Sequence, residues 1–138
     1  MAIRVGIDLV SVEAVGEAVR THSDRYLERV YTEAEVRDCQ GSQGLALERL
    51  AARFAAKEAA LKVLRPDGTA VPWRAIEVRR DSSGYVELEL SGPAAARALD
   101  AGLSNFVLSI THEEGYAAAV VIADVDLRNG PSGPMIES

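Results

Sequence analysis

Aliphatic residues alternate with other residues in several parts of the chain, which predicts β-strands there. The first is residues 3–9, where every second position is aliphatic and Asp8 falls on the opposite face. Two later pairs of alternating segments are each joined by a polar turn, which predicts two hairpins. We expect their strands at residues 75–80, 85–90, 105–110 and 116–123.

Helical patterns fill most of the region between the first strand and the first hairpin. The strongest spans residues 45–64, where leucines and Phe54 recur at intervals of three and four and alanines take much of the remainder. The Pro-Asp-Gly sequence at residues 66–68 ends it. Shorter helices are expected at residues 12–20 and 25–31, after the capping box of Thr32 and Glu35, and at residues 92–101. These elements predict an α+β domain in which a largely antiparallel sheet packs against the long helix.

Length and composition fit one domain with a hydrophobic core. The chain has 138 residues, of which 48% are hydrophobic, and domains most often have roughly 100 to 150 residues. We assign residues 1–126 to this domain and residues 127–138, which are rich in Gly, Pro and Ser, to a flexible tail. The formal net charge of −6 argues against a general nucleic-acid binder.

The sequence favours a cytoplasmic protein without a membrane segment. Its longest apolar run, residues 117–123, is far shorter than a membrane-spanning helix. The N-terminus lacks the apolar region and cleavage site of a signal peptide. Cys39 is the only cysteine, which excludes an intrachain disulfide and a metal–thiolate cluster and is typical of a reducing compartment.

The long helix carries a concentration of positive charge. Between Arg49 and Arg65 there are five basic residues and one acidic residue, Glu58, in a chain of net charge −6. Lys62 follows Glu58 by one turn and lies on the same side of the helix. Lys57 falls on the apolar stripe, where a lysine needs a partner. The cluster predicts a site for an anion.

Together with Asp8 from the first strand and His112 from the second hairpin, this cluster favours phosphate chemistry. Two carboxylates suit Mg²⁺, which commonly takes one or two carboxylates from a protein and completes its shell with phosphates and water. The competing interpretation is structural. In it, Glu58 and Lys62 are an ordinary surface pair, and Lys57 reaches solvent along the helix. Asp8 and His112 are then simply turn and loop residues.

Three motifs resemble those of the holo-acyl-carrier-protein synthases, the short single-domain group of 4′-phosphopantetheinyl transferases. They are VGIDLV, RFAAKEAALK and SITHEEGYAAAVV, in the family's order and spacing. The resemblance covers residues 3–123 and implies the 4′-phosphopantetheinyl transferase fold. It also implies transfer of the phosphopantetheine group of coenzyme A to a serine of an acyl carrier protein of fatty-acid or polyketide synthesis, with release of adenosine 3′,5′-bisphosphate.

The resemblance implies roles for individual residues. Asp8 matches the aspartate of the family's G-[IV]-D motif and Glu58 the glutamate of its KEA motif, which implies that both hold Mg²⁺. Lys62 and His112 match residues that contact phosphate during catalysis. The serine proton could pass to a water molecule, to Glu58 or to Glu113, and the sequence leaves this open. The expected contacts with coenzyme A are Arg53, Lys57, Lys62, Gly68, Thr111 and His112.

The resemblance further implies a homotrimer with coenzyme A between protomers, so that Glu58 and His112 of one site come from different chains. Two features depart from the family pattern. The first helix has Ala14 where the family presents an arginine to the acidic carrier, with Glu13 and Glu17 nearby. The loop after the long helix reads RPDGTAVPW and lacks the second glycine of the family's GTG-like turn. Arginines that could replace the missing carrier contact are Arg20, Arg25 and Arg29.

Two other functions stay open from the sequence. One is a non-catalytic module on the same fold that binds a carrier protein or a nucleotide, and the question that separates it from an enzyme is whether Asp8 and Glu58 share a metal. The other is a structural trimer whose charges are simply solvated. Such a trimer would have no affinity for coenzyme A.

Overall fold

The computed structural model describes residues 2–127 of the chain. Over this range it forms seven β-strands, five α-helices and one turn of 3-10 helix at Trp73–Ala75. The strands are β1 Ala2–Ser11, β2 Gln40–Gly41, β3 Gly44–Leu45, β4 Ile76–Arg80, β5 Val86–Leu90, β6 Leu103–Glu113 and β7 Tyr116–Val125. The helices are α1 Val12–His22, α2 Asp24–Val30, α3 Glu33–Asp38, α4 Leu47–Leu64 and α5 Gly92–Asp100. None of these helices is both long enough and apolar enough to cross a membrane. Except for Leu127, the predicted tail lies outside the described residues.

Strands β1, β7 and β6 form the principal sheet, which is antiparallel and has β7 in its centre. In its register Asp8 lies opposite Ala119, which in turn lies opposite Ile110. His112 pairs with Ala117, two residues nearer the turn. Strands β2 and β3, and β4 and β5, form two separate hairpins. With α4 packed across one face of the principal sheet, the structure confirms the predicted α+β class.

Small residues let α4 lie very close to the sheet. At Gly6 in β1, a Cβ atom would lie only 2.1 Å from the carbonyl oxygen of Ala59 in α4. No side chain fits there, so the approach requires glycine. The buried alanines of α4 are Ala51, Ala52, Ala55, Ala56, Ala59 and Ala60. This contact fixes how far β1 stands from α4, and the candidate site depends on that distance.

Arginines close the C-terminal end of α4. The helix ends at Leu64, as the Pro-Asp-Gly sequence predicts, and Arg65 adopts the left-handed conformation with φ of 47°. The last carbonyls of a helix lack partners within it. Here Nη1 of Arg4 donates to the Val63 oxygen at 2.9 Å, and Nε of Arg97 donates to the Leu64 oxygen at 2.8 Å. Arg4 and Arg97 are therefore engaged in capping α4.

The loop predicted before β7 is shorter in the structure. Strands β6 and β7 pair up to a turn of two residues, Glu114 and Gly115, whose φ angles are 49° and 86°. Positive φ at both positions is what the commonest two-residue hairpin turn requires. Thr111, His112 and Glu113 therefore belong to β6, where a regular strand fixes their position, and the expectation that they lie in a loop is wrong.

The face of the principal sheet that points away from α4 is apolar and exposed. We call it the outer face and define it by Ile3, Val5, Ile7 and Leu9 of β1 together with Val107 of β6. These five side chains are between 57% and 67% exposed. The alternation of residues 3–9 thus predicts the strand correctly. The aliphatic side chains of β1, however, lie on the exposed face of the sheet, while the other face packs against α4. An apolar patch of this kind marks an interaction surface.

Candidate active site

The contact between β1 and α4 brings the two predicted carboxylates together. Asp8 lies two residues beyond Gly6, and its side chain is 19% exposed. Glu58 directly precedes Ala59 in α4. Partial burial raises the pKa of Glu58, the charge of Asp8 raises it further, and Lys62 acts in the opposite direction. Asp8 is therefore close enough for its charge to act on the Glu58 carboxyl group.

Lys62 supplies the positive charge beside these carboxylates. Its Nζ atom donates to the backbone oxygen of Ile7 at 2.7 Å and to Oδ1 of Asp8 at 3.3 Å. Lys62 thus links α4 to β1 through Asp8. The structural interpretation expected only a pair between Lys62 and Glu58 on the surface of one helix. We call Asp8, Glu58 and Lys62 the carboxylate cluster.

The donor atoms of this cluster suit a hard divalent cation. Within residues 2–127, no group of three or more His, Cys, Asp and Glu side chains could hold a metal ion by itself. Two carboxylates are nevertheless what Mg²⁺ commonly takes from a protein, because substrate phosphates and water complete its shell. The ammonium group of Lys62 already occupies a position next to Asp8, which indicates that the local charge favours a cation. Asp8 and Glu58 fit the predicted magnesium site.

A second group of candidate residues lines a cleft between α4, the β4–β5 hairpin and the end of β6. The cleft has a volume of about 590 Å³. We call it the arginine cleft and define it by Arg49, Arg53, Arg80, Thr111 and His112, all of which line it. Three guanidinium groups line this one cleft in a chain of net charge −6, and such groups suit an anion such as phosphate.

Arg53 has unused hydrogen-bond donors beside the cleft. The residue is completely buried, yet its Nε and Nη2 atoms have no hydrogen-bond partner among the described residues. Its Nη1 donates to the Arg49 oxygen at 3.4 Å, and its Nη2 lies 3.9 Å from the Asp38 carboxylate. Buried donors without partners carry a substantial free-energy cost. A bound oxyanion in the cleft would satisfy them.

Lys57 is buried, so the expectation that it contacts coenzyme A is wrong. It is completely buried, and its Nζ lies 2.8 Å from Oε1 of Glu35, which is also completely buried. Nζ donates in addition to the backbone oxygens of Trp73 and Ile76. Burial lowers the pKa of Lys57, and Glu35 opposes this effect. Lys57 is thus a core residue, and it does not reach solvent along the helix either.

Glu35 holds its position through the predicted capping box. Its Oε1 accepts from the backbone N–H of Thr32 at 2.9 Å, while the Thr32 hydroxyl accepts from the Glu35 N–H. The other carboxylate oxygen accepts from the Val78 N–H at 2.7 Å. One carboxylate thus joins α3, α4 and β4. The sequence predicted the capping box, but no local pattern predicted that Glu35 also pairs with Lys57.

The remaining candidates lie apart from the carboxylate cluster. Gly68 sits in the loop after α4 with φ of 73° and lines neither the cluster nor the arginine cleft. Glu113 is exposed at the last position of β6. His112 lies on β6 and Asp8 on β1, with β7 between them, so their strands are roughly 10 Å apart. One chain therefore presents two separate clusters along α4.

The sequence profile of the 4′-phosphopantetheinyl transferase superfamily matches residues 4–121. The chain belongs to this superfamily. The match includes Asp8, Glu58, Lys62 and His112, and it confirms the family resemblance of the three motifs. Every residue of both clusters lies inside the matched region.

Individual members of the superfamily align over nearly the whole chain. The holo-[acyl-carrier-protein] synthase of Koribacter versatilis is 42% identical over 128 residues, which cover 90% of this chain and 99% of the relative. That of Herpetosiphon aurantiacus is 38% identical, over 85% of this chain and 94% of the relative.

Solved transferase structures share the fold. The ACPS–CoA complex of Chronobacterium ammoniagenes has a TM-score of 0.79 and 30% identity, and covers 91% of this chain and 99% of its own. The acyl carrier protein synthase of Mycobacterium tuberculosis has a TM-score of 0.68 and 37% identity, over 88% and 96%. The similarity of this chain to these structures confirms that it has the phosphopantetheinyl transferase fold.

Arg80 is a basic residue of the cleft that no sequence pattern indicated. It ends β4 and enters the arginine cleft, whereas its neighbour Arg79 forms an ion pair with Glu89 at 2.7 Å. Successive residues of a strand point to opposite faces, so one of the two arginines had to face the cleft. The sequence contained no signal for which one.

Proposed function

We propose that this protein is a holo-[acyl-carrier-protein] synthase that transfers 4′-phosphopantetheine from coenzyme A to a serine of an acyl carrier protein and releases adenosine 3′,5′-bisphosphate. The observation that carries this conclusion is the convergence of Asp8 and Glu58, with Lys62 between strand and helix, inside a chain that matches the transferases along nearly its whole length. Paired carboxylates beside a lysine suit phosphoryl transfer, in which a metal and a cation offset the charge that develops on the leaving phosphate.

We assign Asp8 and Glu58 to Mg²⁺ and Lys62 to the pyrophosphate of coenzyme A. When bound, Mg²⁺ would polarise the phosphoryl oxygens and offset the charge that develops on the leaving phosphate. Lys62 carries three N–H donors on its ammonium group. It uses one of them on the Ile7 oxygen, which holds the group in place, and can offer another to a phosphate oxygen. Attack by the carrier serine needs no covalent help from the protein.

We assign the arginine cleft to a further phosphate group of the same substrate. Arg53 has donors to spare, and Arg49, Arg80, Thr111 and His112 line the same cleft. The proton released by the serine can pass to a water molecule, to Glu58 or to Glu113. Gly68 remains a prediction of a backbone contact with the nucleotide.

We further propose that three copies assemble through the outer face. The exposed aliphatic side chains of β1 and Val107 need a cover, and cyclic assemblies bury such a patch. In a trimer the carboxylate cluster of one protomer could complete a site with His112 of its neighbour. Size-exclusion chromatography with light scattering would give the mass, and a monomer at all concentrations would contradict the assembly. We retain the cytoplasm as the expected location.

The carrier should dock through the basic end of α1 and α2. Arg20 forms an exposed ion pair with Glu13 at 2.8 Å, which offsets part of its charge. His22, Arg25, Tyr26 and Arg29 instead line a pocket of about 250 Å³. A positively charged pocket suits the acidic helix expected of an acyl carrier protein. The fatty-acid and polyketide carriers are both candidates.

Mass spectrometry of a carrier protein provides the test. After incubation with coenzyme A and Mg²⁺, the carrier should gain the mass of one phosphopantetheine group, and replacement of its acceptor serine should abolish the gain. Tight binding of coenzyme A with no mass gain on any fatty-acid or polyketide carrier would instead indicate the non-catalytic module. The absence of both binding and transfer would favour the structural trimer.

A further inference from the structure

Lys62 and Asp8 form an ion pair at the position where the proposed function places a metal. The Lys62 side chain is 54% exposed and that of Asp8 19%. Nζ lies 3.3 Å from Oδ1 of Asp8. A divalent cation bound by Asp8 would have to share the carboxylate with this ammonium group, and two cations a few ångströms apart repel each other.

The second contact of Lys62 determines where the ammonium group goes. Nζ donates to the backbone oxygen of Ile7 at 2.7 Å, a shorter distance than that to Asp8. The Ile7 carbonyl is fixed by strand β1, so this bond can persist when the bond to Asp8 is broken. An ammonium group held in this way keeps two N–H donors free for an incoming phosphate.

We propose that Lys62 is the resting counter-ion of Asp8, and that it releases the carboxylate to the metal when the pyrophosphate of coenzyme A takes over its free donors. Lys62 then weakens the binding of free metal and makes metal and coenzyme A bind cooperatively. Such coupling is reciprocal, so metal must strengthen the binding of coenzyme A by the same factor. The inference rests on the proposed function, because it takes Asp8 as a metal ligand.

The binding of Mn²⁺ to the full-length protein tests this without any turnover. Electron paramagnetic resonance measures free Mn²⁺, first without coenzyme A and then with coenzyme A at saturation. Lys62→Met removes the charge and keeps most of the side chain. It should bind Mn²⁺ about two- to fivefold more tightly than the parent when coenzyme A is absent, as expected for loss of a partly exposed ion pair. The increase in affinity caused by coenzyme A should be smaller in Lys62→Met than in the parent.

Arg65→Met is the matched control. Arg65 is exposed and follows Lys62 by three residues, so its replacement removes the same charge from a nearby position. Its Mn²⁺ affinity should equal that of the parent. Equal tightening in both variants would show a general effect of net charge and would overturn the proposal, as would unchanged or weaker binding in Lys62→Met. Lys62→Gln repeats the test with a shorter side chain, should Lys62→Met unfold.

Asp8→Asn separates this inference from the proposed function. It should lose most of the Mn²⁺ affinity of the parent. If Asp8→Asn binds Mn²⁺ as the parent does, the metal assignment in the proposed function fails, and the role of Lys62 fails with it. If Asp8→Asn loses the metal but Lys62→Met gains nothing, the metal assignment stands and only the counter-ion role is wrong.

Discussion

Lys57 and Glu35 form an ion pair that is closed to solvent at both ends, with 2.8 Å between Nζ and Oε1. Each partner has further hydrogen bonds to backbone atoms. Glu58, the next residue along the chain from Lys57, belongs to the carboxylate cluster. The ion pair thus fixes the rotation of α4 about its axis at the residue before the site.

Removal of one partner from this pair should destabilise the fold strongly. Glu35→Gln leaves the Lys57 charge buried without its counter-ion, and we expect a loss of about 3 to 5 kcal/mol in the free energy of unfolding. The double variant Glu35→Gln, Lys57→Met should recover part of this loss, because it leaves no buried charge and the amide oxygen can still accept from the Val78 N–H. Urea unfolding measures both. Arg79→Met, which breaks an exposed pair, is the control and should cost less than about 1 kcal/mol; equal losses in the two single variants would contradict the argument.

Asp8→Ala and Glu58→Ala should each abolish transfer while the fold remains intact. Each change removes one of two protein ligands from a single ion, and loss of even an outer-shell partner typically costs 10- to 100-fold. We therefore expect at least about a hundredfold loss of rate. Carrier mass spectrometry gives the rate, and circular dichroism verifies the fold. Near-native rates with Mg²⁺ in both variants would show that the metal assignment is wrong.

The two neighbouring arginines at the end of β4 should respond differently to the same substitution. Arg80 lines the arginine cleft and Arg79 is paired with Glu89. Arg80→Met should weaken the binding of adenosine 3′,5′-bisphosphate by about 1.5 to 3 kcal/mol, the range for a hydrogen bond to a charged group. Arg79→Met should leave it unchanged. Titration calorimetry on both variants decides, and equal affinities would exclude Arg80 from the phosphate contacts.

Glu58 should make the protein less stable as the pH rises above about 4.5, its ordinary value. Its pKa is raised in the folded state by burial and by Asp8. Between the unfolded and folded pKa values the folded state holds more protons, so the free energy of unfolding falls with increasing pH. Glu58→Gln should remove this component of the decline. Urea unfolding from pH 4 to 7 measures it, with the exposed Glu48→Gln on the same helix as the control; identical slopes in parent and Glu58→Gln would refute it.

Ala14→Arg should increase the transfer rate toward an acidic carrier. Ala14 is exposed on α1 beside Glu13 and Glu17, which repel an acidic partner unless Arg25 and Arg29 outweigh them. The gain should be largest at low salt, because screening weakens steered association. Ala95→Arg on α5 adds the same charge elsewhere and should give no gain. A parent as fast as Ala14→Arg, with the same salt dependence, would mean that α1 docks its carrier by other contacts.

The sequence indicated the residues of the carboxylate cluster better than it indicated the environment of Lys57 and His112. The alternation around Asp8 and the spacing of Glu58 and Lys62 are local patterns, and in the structure Lys62 lies beside Asp8 while both charges act on Glu58. Whether Lys57 faces solvent or the core depended on Glu35, more than twenty residues away, and no local pattern encodes such a contact. The position of His112 depended on a two-residue turn whose backbone angles decide where the strand ends.

The contact of Gly6 with Ala59 has a consequence for the pairing of β1. If β1 slipped by one residue along β7, the side chain of Val5 or Ile7 would take the place of Gly6 and collide with the Ala59 oxygen. Even a Cβ atom at that place would lie only 2.1 Å from this oxygen. The same slip would turn Asp8 toward the outer face, since strand residues alternate between faces. One glycine therefore excludes the strand that is shifted by one residue, and in doing so it favours the alignment of β1 in which Asp8 faces Glu58.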